Sequence, residues 1–314
     1  MSVFTSVSES GMAEFLRGYG IARLISQQGL PQGIENTNYH VVTDQGEFVV
    51  TLFETVPAEA LPFCIDYMSF VADHGLPAPR PRADIRGNCL RSLADRDAVM
   101  VDFLPGETVT APDFSQCAAV GDLLGRMHQL APHFPGKRVN PRGPEWREAM
   151  AAKVRRQLST TDQELLDEAL AHSRNARPGH LPGGVVHCDV FRDNVLFERD
   201  RLTGLVDFYY SCEEAFIYDL AVAANDWCTD DQGVVVHSRL KALLDGYYRH
   251  RSLTAEEAAV WSEMLVAAAF RFWLSRKHDR LFPRPGAMTF AKDPGEFRRI
   301  LLSHIYYPDR SALK

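Results

Sequence analysis

The run His187-Cys188-Asp189-Val190-Phe191-Arg192-Asp193-Asn194 is followed thirteen residues later by Asp207-Phe208, behind Gly204-Leu205-Val206. These types and spacings suit phosphoryl transfer to an alcohol. That reaction needs one carboxylate to orient the hydroxyl and accept its proton, and oxygen ligands for a metal that spreads the phosphate charge. Asp189 fits the catalytic base. Asn194, five residues on, and Asp207, at the end of the next apolar run, fit the ligands of a magnesium ion. His187 precedes the base and is expected to brace the loop backbone. Arg192 is the local cation best suited to a substrate carboxylate or the transferring phosphate, because its planar fork matches both. A structural salt bridge is the competing reading for Arg192. Asp and Asn also cap helices and shape turns, so each residue alone says little.

The context gives the motif its weight. Val185-Val186 precedes it, Val195-Leu196-Phe197 follows it and Leu205-Val206 leads into Asp207. Each is a short apolar run that reads as a buried strand delivering a polar end to one place. Upstream, Ser8 caps a helix with Met12, Phe15, Leu16 and Tyr19 on one face. Strands follow over 21–28, 38–42 and 48–53, the last two joined by the turn Thr43-Asp44-Gln45-Gly46. A helix over 58–74, with Leu61, Ile65, Met68 and Val71 inward, stops at Gly75 before Pro77-Ala78-Pro79-Arg80-Pro81. A strand pair over 88–93 and 98–103 completes an antiparallel lobe, and Leu104-Pro105-Gly106-Glu107 marks a boundary. We therefore expect one lobe over 1–103 and a mainly helical lobe over 104–314. In the second, helices are expected over 115–130, 233–249 and 254–280, with a capping box at Thr161-Asp-Gln-Glu164.

Composition bounds the rest. The 314 residues are 46% hydrophobic and 24% charged, enough apolar material for two packed cores. A formal charge of −7 and the absence of Lys/Arg-rich runs argue against a nucleic-acid partner. The first ten residues show neither a basic leader nor an apolar secretion core, and the longest apolar run, Met264 to Phe270, is too short to span a bilayer. A cytoplasmic protein with a small-molecule partner and no membrane association is expected, its oligomeric state being open. The six cysteines form no C-x-x-C pair, so neither a disulfide framework nor a zinc knuckle is expected.

A small sheet lobe, a short hinge and a helical lobe with H-x-D-x-x-x-x-N and D-F resembles the aminoglycoside phosphotransferase and choline kinase superfamily. The segments Gly33 to Tyr39, Phe48 to Glu54, Leu61-Pro-Phe63, Phe103-Leu-Pro-Gly106, Val206 to Tyr210 and Tyr218-Asp-Leu-Ala221 are similar to its homoserine kinase branch. The resemblance spans nearly the whole chain. It implies an α+β, protein-kinase-like bilobal fold with ATP and Mg2+ as cofactors, and phosphorylation of L-homoserine in threonine synthesis. It further implies that Gly33, Glu35, Asn36, Thr37 and Asn38 form the hairpin loop over the ATP phosphates, although Gly and Asn suit a plain hairpin equally. Thr51 stands where kinases of this architecture place a phosphate-binding lysine, a departure that the homoserine kinase branch shares. Val101 and Phe103 belong to the hinge that would meet adenine. Asp219, in Tyr218-Asp-Leu, either braces the active-site loops or caps its own helix. Cys188, where relatives usually carry Gly or Ala, reads as an inert buried thiol.

The substrate classes of the superfamily differ in charge. Homoserine needs a cation and an acid, an aminoglycoside a wide acidic cleft, and choline an aromatic cage. A non-catalytic nucleotide binder on the same fold is the remaining alternative, since Thr51 replaces the lysine. Intact Asp189, Asn194 and Asp207 weigh against it.

Overall fold

A computed structural model describes residues 4–30, 35–175, 181–283 and 292–307. Over these the chain forms two compact units that meet in sequence between Pro105 and Gly106, with 292–307 belonging to the second.

The first unit opens with α1 (Glu9–Arg17), whose N-cap Ser8 accepts a bond from the Gly11 amide at 3.1 Å. Strands β1 (Leu24–Gly29), β2 (Thr37–Thr43) and β3 (Gly46–Leu52) follow, then α2 (Leu61–Asp73), β4 (Leu90–Leu93) and β5 (Arg96–Asp102). The five strands make one antiparallel sheet in the order β1-β2-β3-β5-β4. The period-2 pattern works as expected. Alternate residues Tyr39, Val41, Phe48, Val50, Leu52 and Met100 turn to one face and pack against Met12, Phe15 and Leu16 of α1. The β4–β5 turn falls on Ala94 and Asp95, both with positive φ, as a tight hairpin with right-handed twist demands.

The second unit contains α3 (Phe114–Leu130), α4 (Pro144–Val154), α5 (Thr160–Asn175), β6 (Gly183–Val186), β7 (Val195–Glu198), β8 (Arg201–Leu205), β9 (Cys212–Ala215), α6 (Phe216–Trp227), α7 (His237–Tyr248), α8 (Ala255–Ala259), α9 (Trp261–Leu281) and α10 (Pro294–Tyr306). The architecture is α+β. Strands pair as two short antiparallel ladders, β6 with β9 and β7 with β8. Helices α3 and α7 pack backbone to backbone: a Cβ at Gly121 would sit 1.9 Å from the Leu243 carbonyl, and one at Gly246 would sit 2.1 Å from that of Ala118. Helix α9 runs through the core and touches α4, α5, α6 and α10, with an unbroken buried run from Met264 to Leu274.

Three local expectations are corrected. The helix expected from Gly233 begins at His237, because Asp230 Oδ1 accepts from the Gln232 and Val234 amides and closes a turn that Gly233 enters at φ +80. The helix expected over 254–280 is broken at Val260. There Thr254 and Glu257 form a capping box around the single turn of α8, and the buried Glu257 is held by Arg251 through two 2.8 Å bonds. The cap of α5 is Ser159, which accepts from the Asp162 amide at 3.2 Å, so Thr161 lies inside the helix.

Candidate active site

The second unit gathers the motif residues. β6 ends at Val186 and delivers His187, Cys188 and Asp189, while the β7–β8 hairpin places Asn194 and Asp207 at its two open ends. The Val206 amide donates to the Asn194 carbonyl at 2.9 Å, one step beyond the Val195–Leu205 pair. Two bends carry strain: Cys188 has φ 64, and Asp207 has φ 66, ψ 58, in the left-handed region. Non-glycine residues occupy that region at a cost that surrounding bonds must cover.

Those bonds are present around His187. Its Nδ1 accepts from the Asp189 amide at 3.2 Å, so Nε2 carries the proton and donates to the Val206 carbonyl at 3.1 Å. The ring is wholly buried, which pushes its pKa down to about 4 against the upward pull of Asp219 and the Val206 carbonyl. It is thus neutral, and it ties the two strained bends together. Asp219 Oδ1 accepts from the Cys188 amide at 2.7 Å and Oδ2 from the His187 amide at 3.4 Å. Of the two readings of Asp219, the loop brace is the one seen, since it sits within α6 and the N-cap is Ala215.

Asn194 Nδ2 donates to Asp189 twice, to the main-chain carbonyl at 2.8 Å and to carboxylate Oδ2 at 2.9 Å. The amide is therefore oriented with Oδ1 turned away as an acceptor. Oδ1 and the Asp207 carboxylate are both oxygen donors, the atom type a hard divalent cation takes. The other carboxylate oxygen of Asp189 faces Arg271 Nη1 on α9 at 3.4 Å.

Arg192 lies elsewhere in the network. Its amide donates to Asp226 Oδ2 at 2.7 Å, its Nε and Nη2 donate to the same carboxylate at 3.1 and 3.2 Å, and Nη2 also reaches Glu296 at 3.1 Å. Nη1 donates to the Thr110 carbonyl at 2.7 Å. The expected meeting of Arg192 with a reacting group is corrected here: the guanidinium beside Asp189 is that of Arg271, and Arg192 makes the structural salt bridge. Burial raises the pKa of Asp226, and Arg192 opposes that rise. Cys188 Sγ lies 3.5 Å from Cys212 Sγ, and that contact together with burial pushes the Cys188 thiol well up, so it is inert.

In the first unit, Gly33 lies outside the described residues. Thr37 is fully buried, accepts from the Phe4 and Thr5 amides at 3.0 and 3.1 Å and donates to Glu54 at 2.8 Å. Its hydroxyl holds the sheet. Asn36 Oδ1 accepts from the Glu54 amide at 3.4 Å, and Asn38 Oδ1 accepts from Thr51 Oγ1 at 2.7 Å across the β2–β3 ladder. Glu35 is half-buried. Val101 is buried in β5, and Phe103 stacks on His40 with ring centroids 4.4 Å apart. Asp66 of α2, near the position where kinases of this architecture carry an acid paired to the phosphate-binding lysine, is exposed.

Sequence spacing overlooked the Arg271–Asp189 pair. A signal existed: Arg271 is a single cation in the otherwise apolar stretch Met264 to Leu274, and buried cations are rarely left without a purpose.

Comparison with known proteins agrees with this geometry. The phosphotransferase enzyme family matches residues 26–253. Among curated relatives, a homoserine kinase of Methylobacillus flagellatus is 45% identical over 96% of this chain and 94% of its own, and one of Neisseria meningitidis serogroup B is 39% identical over 96% and 99%. Among solved structures, the amicoumacin kinase hAmiN, in complex with AMP-PNP, Ca2+ and Ami, superposes with a TM-score of 0.74 at 16% identity, covering 98% of both chains. A microcompartment-associated aminopropanol kinase gives 0.72 at 15%, covering 97% and 98%. These two likenesses show a shared kinase-like fold. The chain belongs to the phosphotransferase enzyme family and, within it, to the homoserine kinase branch.

Proposed function

We propose that this protein transfers the γ-phosphoryl group of ATP to the side-chain hydroxyl of L-homoserine, giving O-phospho-L-homoserine and ADP, a step of threonine synthesis. The observation that carries the reading is the pair of hydrogen bonds that Asn194 Nδ2 donates to Asp189, which would fix the base and one metal-binding oxygen in a single unit. Asp189 orients the hydroxyl and takes its proton as the oxygen bonds to the γ-phosphorus and the bond to the ADP oxygen breaks. Asn194 Oδ1 and the Asp207 carboxylate would hold Mg2+, whose charge offsets that of the phosphates during transfer. His187 and Asp219 keep Asp189 in place through the backbone. In the first unit, backbone amides of residues 33–38 would meet phosphate and the 101–103 segment would meet adenine, which makes 1–103 the nucleotide lobe and 104–314 the catalytic lobe.

The partner is a small molecule and not a nucleic acid. No helix among the described residues is long and apolar enough to cross a membrane. We place the enzyme in the cytoplasm, where ATP is available. Its selectivity is tested by product formation from L-homoserine, L-serine, choline and an aminoglycoside under matched conditions. Homoserine should be phosphorylated fastest. Serine, one methylene shorter, should trail by on the order of 100-fold, since displacing a reacting atom by about 1 Å costs that much. Faster turnover of choline or the aminoglycoside would replace the substrate and leave the phosphotransferase reading intact.

A further inference from the structure

Three guanidinium groups of the second unit gather near Asp189, around Tyr210 and α9, and among the described residues that of Arg147 is buried without a carboxylate partner. Arg271 is 4% exposed and its carboxylate partner is Asp189, at a long 3.4 Å. Arg147 on α4 is 5% exposed; its Nη1 reaches the Ala267 carbonyl, one turn before Arg271 on α9, at 3.4 Å. Its Nε has no hydrogen-bond partner, and among the described residues no carboxylate lies within ion-pairing distance of it. Arg142 adds a third guanidinium. Its Nη2 donates to the Tyr210 hydroxyl at 3.1 Å, and its Cζ stands 4.5 Å over the Trp146 ring. The Tyr210 ring also carries Arg271, whose Cζ is 4.7 Å from the ring centroid. A buried guanidinium without a matching anion is costly, because desolvation is not repaid by an ion pair. An anionic ligand removes that cost.

We infer that Arg271 and Arg142, which both contact the Tyr210 ring, supported by Arg147, form the receptor for the α-carboxylate of the amino-acid substrate. The inference rests on the function proposed above and names the group that selects an amino acid over a simple amino alcohol. In extended L-homoserine the hydroxyl oxygen and the carboxylate carbon stand roughly 5 Å apart. A hydroxyl bonded to Asp189 is therefore long enough in its chain to bring the carboxylate past the near end of Arg271, toward the other guanidinium groups. Planar forks suit a carboxylate bidentately, and the aromatic rings of Tyr210 and Trp146 hold those forks in place.

The test compares L-homoserine with 3-aminopropan-1-ol, which is homoserine without its carboxylate. Wild-type kcat/KM should favour homoserine by on the order of 1,000-fold, as expected when a buried charge pair is lost. Arg142→Met should lower kcat/KM for homoserine about 100-fold, chiefly through KM, and change that for 3-aminopropan-1-ol by less than about threefold; Arg142→Lys should recover part of the loss. Arg271→Met should also collapse the selectivity, and Arg142→Met keeps the test decisive if that variant does not fold. Equal losses on both compounds would overturn the receptor and leave Arg142 a packing residue. Calorimetry with L-2-aminobutyrate, which keeps the carboxylate and ammonium but has no hydroxyl, separates this inference from the function on which it rests. Binding by wild type and about 100-fold weaker binding by Arg142→Met support the receptor even if homoserine is not turned over. No binding by wild type, or equal binding by both, overturns it.

Discussion

The loop of Asp189 and Asn194 in the helical unit and the open end of the β2–β3 ladder in the sheet unit each hold an asparagine bonded to a polar side chain, and they use it for opposite ends. Around Asp189 the side-chain bonds leave oxygens turned outward: Asn194 donates both bonds to Asp189, and its Oδ1 is left as an acceptor. At the open end of the β2–β3 ladder the bonds turn inward, with Thr37 tied to Phe4, Thr5 and Glu54, and Asn38 tied to Thr51. A polar residue in a motif is thus functional or structural according to which of its atoms the fold already satisfies. This cannot be read from residue type.

The largest effect should fall on the first region. Asp189→Asn keeps the size of the side chain and removes the proton acceptor, so turnover should fall by about 100- to 10,000-fold while ATP affinity stays within about threefold. Rates within a few-fold of wild type would mean that Asp189 resembles Thr37, a fold residue in a motif.

Arg192 sharpens the comparison from within the loop itself. Arg192→Met strands the buried Asp226 and should cost about 3 kcal/mol of stability, measured by denaturant unfolding. The kcat of the folded variant should remain within about threefold of wild type. A stable variant with lost turnover would return Arg192 to the substrate.

His187 gives the comparison a pH axis. Its pKa is about 4 in the fold, against an ordinary histidine value near 6.5 in the unfolded chain. Between those values the unfolded state binds the extra proton, so the His187 contribution is fully present above about pH 6.5 and is lost as pH falls toward 4. The loss is on the order of 3 kcal/mol. Unfolding free energies measured over this range should slope less in His187→Gln than in wild type. Parallel slopes would show that the buried ring titrates normally.

The smallest effect belongs to the sheet. Thr51→Val breaks one hydrogen bond to Asn38 and should cost about 1 kcal/mol, with kcat/KM for ATP unchanged within about twofold. A large fall in ATP use at unchanged stability would make Thr51 the substitute for the absent lysine.

What the sequence revealed and concealed follows the same division. The grouping of Asp189, Asn194 and Asp207 was legible because they lie within one short segment and its hairpin, where chain geometry alone keeps Asp189 and Asn194 together. The strands of the first unit were legible because one face is buried and the period of two shows through, as in the alternation of β2. Arg271 was not legible as a neighbour of Asp189, since 82 residues separate them and helix packing alone joins them. The breaks at Gly233 and Val260 were hidden as well. There the apolar pattern runs on, but side-chain bonds from Asp230 close a turn that delays α7 to His237, and the Thr254–Glu257 capping box starts a separate short helix, α8, that stops at Val260.

The most direct test of the account is the product itself. Wild-type protein incubated with ATP, Mg2+ and L-homoserine should release one ADP for each O-phospho-L-homoserine formed, with phosphorus–proton correlation NMR joining the new phosphorus to the side-chain CH2–O protons. Phosphorus found on another group, or ADP released without a phosphorylated amino acid, would contradict the assignment of Asp189 as the base that presents the homoserine hydroxyl to ATP.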